Sequence, residues 1–241
     1  IFNGISSFFP YANLTMLNLV QYVILVFLAT DIIKRDKKIN TNQVYYIRSM
    51  TNAEYLTGKA LGLFCVFAGL NFVVLLMSVI YQLIFSDINF NWLPFVVYPL
   101  LISLPAIIFT VGFSFLLMHI IKNQAVVIIV ILGYYSLILF YMGEKFFNIL
   151  DFFSGEIPLI YSDFTGLTHL NLILQQRSFY VILGLVFLFL SILLFNRLYQ
   201  SKLMNRILTI SIFVGTFISL FIGYKYISDV PSKNIYMASE L

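Results

Sequence analysis

Charge is scarce in this chain: 10% of its 241 residues are Asp, Glu, Lys or Arg, while 61% are hydrophobic. A water-soluble domain of this length has no core large enough to hide so much apolar surface, so a soluble globule is excluded. Cysteine is rarer still. Cys65 stands alone, which excludes an intrachain disulfide, and its place inside an apolar run makes it a small buried side chain. The two histidines, His119 and His169, have no Asp, Glu, His or Cys at ligand spacing, so neither marks a metal or acid–base site. No glycine-rich phosphate loop, Walker lysine or kinase signature occurs, which excludes nucleotide hydrolysis by this chain itself. Strict apolar–polar alternation is also missing, and with it the case for a transmembrane β-barrel.

What is present is a series of long apolar runs. A helix needs roughly 20 apolar residues to cross about 30 Å of hydrocarbon. Six runs approach or exceed that length, at about 14–30, 60–85, 94–121, 125–142, 179–195 and 207–224. Backbone groups in lipid must be satisfied within the segment, so the expected fold is all-α, a polytopic transmembrane helix bundle of about six spans. The whole chain, 1–241, forms one transmembrane domain. No Asp, Glu, Lys or Arg falls inside a run, which argues against proton relay and against an intramembrane protease or acyltransferase. Pro99 and Pro105 should bend the third span, because each removes a backbone hydrogen bond.

Basic residues set the orientation, since positive charge is retained in the cytoplasm. One set of alternate loops holds Lys34, Arg35, Lys37, Lys38, Arg48, Lys59, Lys122, Arg197, Lys202 and Arg206; the other holds Lys145, Arg177, Lys225 and Lys233. The net charge of +4 is therefore a topology signal, and no nucleic-acid partner is implied. The first set is expected in the cytoplasm, with both ends of the sequence outside. An N-terminus kept in the cytoplasm would then require one more span upstream of Ile1, which is the expectation here.

Two connections exceed simple turns. The cytoplasmic segment 31–59 opens with a charge cluster from Asp31 to Lys38, and Asn40 and Thr41 can cap a short helix reaching Ser49, with Val44, Ile47 and Met50 on its less polar side. Thr51-Asn52-Ala53-Glu54 then has the spacing of a capping box immediately before the second apolar run. The connection 143–177 mixes Phe146, Phe147, Phe152 and Phe153 with Gly155, Pro158 and Gly166, a pattern suited to an interfacial or re-entrant element outside. Asp151 and Glu156 with Asp163 and His169 within it read as a solvated face, the alternative being a site on the outer surface. Within the spans, Asn18 and Gln21 share one face of the first, and Gly133, Tyr134, Tyr135 and Ser136 interrupt the fourth. Both groups suit either a substrate path or hydrogen bonding between helices; Asn71 reads as packing glue in the second span.

The cytoplasmic segment resembles that of the ABC-2 type permeases, the membrane subunits of one class of ATP-binding-cassette exporter. The resemblance rests on the Arg35-Asp36 cluster, on Tyr45 to Arg48, and above all on Tyr55-Leu56-Thr57-Gly58-Lys59-Ala60-Leu61-Gly62, which follows the family's Tyr-Leu-x-Gly-Lys-x-x-Gly opening of a span. It implies a homo- or heterodimeric exporter core coupled to a separate cytoplasmic ATPase. ATP and Mg²⁺ would be bound by that partner, no cofactor by this chain, and the setting would be a bacterial cytoplasmic membrane. It further implies that Arg35, Asp36, Val44, Ile47, Arg48, Met50, Glu54 and Lys59 form the ATPase-coupling element. Because the family's second and fifth spans face the translocation path, it assigns Asn18, Gln21, Tyr134 and Tyr135 to that path. Two features depart from the family pattern: the run 207–224 exceeds its six-helix core, and an extracytoplasmic tail, 225–241, continues past Pro231. The alternative function is a membrane scaffold that anchors an extracytoplasmic complex.

Overall fold

The computed structural model describes residues 8–38, 50–85, 90–142, 148–153, 161, 170–195 and 201–239. Their regular elements are helices: α1 (Phe8–Lys38), α2 (Asn52–Phe85), α3 (Leu93–Tyr98), a π-helical turn (Pro99–Ser103), α4 (Leu104–Ile121), α5 (Gln124–Leu137), which runs on into a second π-helical turn (Ile138–Met142), α6 (Leu170–Leu194) and α7 (Lys202–Ser239). Counting α3, the first π turn and α4 as one rod, six helices among the described residues are long and apolar enough to cross a membrane. The protein is an all-α helical bundle with the make-up of a multi-pass membrane protein.

Local chemistry sets several of the helix ends. The capping box forms: the Thr51 amide donates to Glu54 Oε2 at 2.8 Å and the Glu54 amide to the Thr51 hydroxyl at 3.2 Å. Between α4 and α5 the chain reverses in two residues. Lys122 takes a left-handed conformation (φ 60°) that ends α4, and the Asn123 side chain accepts from the Ala125 amide at 3.1 Å to start α5.

Neighbouring helices run antiparallel, as their cross-contacts show. Asn13 of α1 meets Ser78 of α2, Gln21 meets Asn71, and Lys59 Nζ donates to the Ile32 carbonyl. The α4 and α6 helices instead run parallel, with Phe109 beside Tyr180, Phe113 beside Phe187 and His119 beside Ser191. They touch backbone to backbone at Gly112 and Gly184: a Cβ on Gly184 would lie 2.8 Å from the Ile108 carbonyl oxygen and from Phe109 Cα. Only glycine permits that approach. Along the edge of the bundle α7 lies antiparallel to α6, with Gly215 under Val186 and Gly223 against the Phe179 ring. Its outward face carries Phe213, Phe217, Leu220 and Phe221, an exposed apolar surface matched to lipid.

One end of the bundle gathers Lys34, Arg35, Lys59, Lys122 and Lys202, and is called the basic end below. There Asn52 donates to the Phe195 carbonyl at 3.0 Å, Tyr55 stacks on Phe195, and His119 lies within reach of Ser191 Oγ. The opposite end holds the segment 148–153 and the start of α6.

Four sequence expectations are corrected or refined. Cys65 is exposed, because α2 turns Leu56, Leu63, Phe67 and Asn71 inward and leaves Cys65 on the outer side. The fifth span starts at Leu170 instead of 179: the helix begins in apolar residues upstream of a polar Gln175-Gln176-Arg177 triplet that had seemed to be its boundary. The tail beyond residue 225 continues α7 as helix to Ser239, through Pro231. The two prolines of the third span produce a widened turn: the Leu104 amide donates to the Pro99 carbonyl, five residues back. The expected short helix of 40–49 lies outside the described residues.

Candidate functional site

Three elements bring polar side chains, three amides and one hydroxyl, to one buried point. Asn18 and Gln21 project from the inner face of α1, Asn71 from α2, and Ser103 from the last position of the π turn. Their residual exposures are 1, 1, 3 and 2%. Asn71 is the hub. Its Nδ2 donates to Gln21 Oε1 at 2.8 Å and to the Phe67 carbonyl at 2.7 Å, while its Oδ1 accepts from the Ser103 hydroxyl at 2.8 Å. Gln21 Nε2 passes the chain on to Asn18 Oδ1 at 3.1 Å, and Ser103 Oγ is also 3.2 Å from that oxygen.

The network closes on itself except at one atom. Asn18 Nδ2 is buried and has no hydrogen-bond partner among the described residues. A buried amide donor left over in this way costs roughly 1–3 kcal/mol, the kind of cost that polar sites carry when they await a ligand. The π turn beside it serves the same end. One extra residue per turn rotates Ser103 toward α1 and α2, and the missing amide protons of Pro99 and Pro105 release the regular ladder on either side.

The other two path residues go elsewhere. Tyr135 is buried and donates its hydroxyl to the Leu19 carbonyl at 3.1 Å, with its ring edge-on to Tyr22 at 6.5 Å. Tyr134 stacks on Phe152 at 6.1 Å and meets Phe113 edge-on. Both belong to an aromatic cluster with Phe109, Phe153 and Tyr180. Since α1 carries both Gln21 and Tyr22, the amide network and the aromatic cluster are adjacent layers of one interior.

Below the aromatic layer lies a group the sequence reading had placed in a loop. Arg177 is 2% exposed and Asp151 fully buried, so the bundle does contain interior charge. The guanidinium donates to the Phe152 carbonyl at 2.9 Å, to the Asp151 carbonyl at 3.4 Å and to Gln176 Oε1 at 2.9 Å. Gln176 in turn donates to the Asn148 and Asp151 carbonyls, and the Tyr180 hydroxyl to the Ile149 carbonyl. The segment 148–153 is thus a short irregular plug. Its backbone carbonyls, which no helix satisfies, are satisfied by α6 side chains. Asp151 is part of this plug and not of a solvated face; Glu156, Asp163 and His169 lie outside the described residues.

Of the coupling residues, Glu54 caps α2, Met50 and Arg35 are exposed at the basic end, and Lys59 is drawn inward, its ammonium on the Ile32 carbonyl at 3.1 Å and 4.4 Å from the Tyr55 ring centre. That position lets Lys59 tie α2 to the end of α1. Asp36 lies in α1, and Val44, Ile47 and Arg48 fall outside the described residues.

Comparison with known proteins returned nothing. No family model, curated protein or solved structure matches the chain. An apolar groove of about 320 Å³ lies between α2, α4 and α6 at the glycine crossing, lined by Ala60, Phe64, Val111, Gly112, Gly184 and Leu188. No three His, Cys, Asp or Glu side chains converge among the described residues.

Sequence reasoning missed Ser103 and Arg177 and underrated Asn71. For Ser103 the available signal was its position between two prolines six residues apart. For Arg177 it was the apolar stretch Leu170 to Leu174 upstream, which lengthens the span around the charge.

Proposed function

We propose that the chain is the membrane-spanning permease subunit of an ABC-type exporter of the ABC-2 class, working as a dimer in a bacterial cytoplasmic membrane with a separate cytoplasmic ATPase. The observation that carries the reading is the buried Asn18–Gln21–Asn71–Ser103 network with its unpartnered Asn18 amide. It is a neutral polar site deep between three spans, beside a π turn, in a bundle whose basic end carries Tyr55 to Gly62, the stretch on which the family resemblance chiefly rests. Such a site recognises hydrogen-bond acceptors, and its α1, α2 and π-turn members separate when the helices tilt. The apolar groove and the scarcity of charge in the apolar runs favour a bulky, amphipathic or lipid-linked substrate. The capped start of α2 and the Lys59 tie to α1 make a stiff lever, through which movement of a docked ATPase would tilt both helices.

The test is purification from the native membrane in detergent or nanodiscs, with ATPase activity assayed on whatever accompanies the protein. An ATP-binding-cassette subunit is expected to co-purify, and Ile47→Asp and Met50→Asp are expected to release it while membrane insertion persists. If no ATPase appears and proteins of the opposite face do, the chain is a scaffold and the transport reading fails.

A further inference from the structure

A second polar recess lies far from the amide network, between α6 and α7 at the end opposite the basic loops. It measures about 650 Å³, within the roughly 300–1,000 Å³ of small-ligand sites, and joins Asn171, Gln175 and Ser178 of α6 to Lys225 and Asp229 of α7 over an apolar base that includes Phe221. Its chemistry is of two kinds. Lys225, Asn171 and Ser178 are exposed and offer donors suited to a phosphate. Asp229 and Gln175 offer acceptors: Gln175 Nε2 donates to Asp229 Oδ2 at 3.0 Å, and the remaining amide oxygen, Gln175 Oε1, is buried with no partner among the described residues.

The depth fits a membrane interface. The apolar run of α7 ends at Tyr224, one residue before Lys225, so the charged pair stands where hydrocarbon gives way to headgroups. Toward the interior, Phe221 at the base of the recess is followed one and two turns away by Phe217 and Phe213 on the exposed, lipid-facing side of α7, a surface along which an acyl chain can lie.

We infer that the α6–α7 recess binds a membrane phospholipid with a zwitterionic, primary-amine headgroup: phosphate against Lys225, Asn171 and Ser178, ammonium against Asp229 and Gln175 Oε1. A quaternary ammonium has no N–H to give these acceptors, and a glycerol headgroup has no positive charge for Asp229. The site therefore discriminates phosphatidylethanolamine from phosphatidylcholine and phosphatidylglycerol. It is independent of the permease reading, since it rests on different helices and residues.

Native mass spectrometry of the full chain in detergent, titrated with the three lipids at matched acyl chains, tests it. Phosphatidylethanolamine is expected to bind about tenfold more tightly than phosphatidylcholine, the scale of one charge-assisted hydrogen bond. Asp229→Asn, which still accepts from Gln175, should bring the two lipids to near parity. Lys225→Ala should weaken both together. Equal binding of the two lipids to the unmodified protein, preference for phosphatidylglycerol, or an unchanged preference in Asp229→Asn would overturn the assignment. Displacement of the lipid by soluble phosphoethanolamine at equal concentration would overturn the membrane source. Unfolding midpoints of both variants, measured alongside, must match the parent for a lost preference to count in its favour.

Discussion

Replacing Asn71 by Leu, nearly the same shape without polar atoms, should cost far more stability than the same change at Asn18, though both are buried almost completely. Asn71 joins Gln21 and Ser103 to α2 through bonds of 2.8 Å each, so its removal orphans Gln21 Oε1 and frees the Ser103 hydroxyl. Side-chain hydrogen bonds between membrane helices average about 0.6 kcal/mol and reach about 1.7. Two such losses give about 1–3 kcal/mol. Ser103 can turn to Asn18 Oδ1, 3.2 Å away, which moderates the sum to about 2 kcal/mol. Asn18→Leu also orphans one donor, Gln21 Nε2, but it removes the amide whose Nδ2 already has no partner. Relief of that standing cost, roughly 1 kcal/mol, leaves a net change under about 1 kcal/mol. Reversible unfolding in mixed micelles, followed by helical signal against denaturing-detergent fraction, measures both. Function should invert the order: Asn18→Leu is expected to abolish substrate-stimulated activity of the co-purified ATPase while remaining folded. Equal destabilisation by the two changes, or a larger loss at Asn18, would refute the assignment of Asn71 as hub and Asn18 as the open member.

Three further outcomes follow from the packing. Gly184→Ala drives a methyl to 2.8 Å from the α4 backbone and should destabilise by about 1–3 kcal/mol in the same assay, whereas Gly133→Ala, with nothing within 4 Å, should be neutral or gain about 0.5–1 kcal/mol. Arg177→Met removes the guanidinium that holds the Phe152 and Asp151 carbonyls; in a Cys65→Ala background, a Phe153→Cys reporter, buried in the parent, should then react with maleimide, and adding Asp151→Asn should recover part of a loss on the order of 3 kcal/mol. Thr51→Ala breaks the capping box and should cost about 1 kcal/mol, seen as faster hydrogen exchange confined to the first turn of α2.

The sequence by itself determined the class of fold. Six apolar runs, the capping box at Thr51 and the two-residue reversal at Lys122 and Asn123 are properties of contiguous residues: helix formation in lipid depends on local composition, and a cap depends on spacing of three. It also located half of the polar network, because Asn18 and Gln21 share a face at i, i+3. Tertiary structure alone decided the rest. That Asn71 and Ser103 complete the network depends on α1, α2 and the π turn meeting at one level, a matter of helix register that no single run encodes. That Arg177 is interior depends on the plug 148–153 folding back, so that its carbonyls supply what water would otherwise supply. Cys65 faces outward because α2 packs through Leu56, Leu63, Phe67 and Asn71. An apolar run states that a helix lies in the membrane, while which side faces protein and which faces lipid is settled by the neighbours it packs against, and lipid and protein interior are equally apolar.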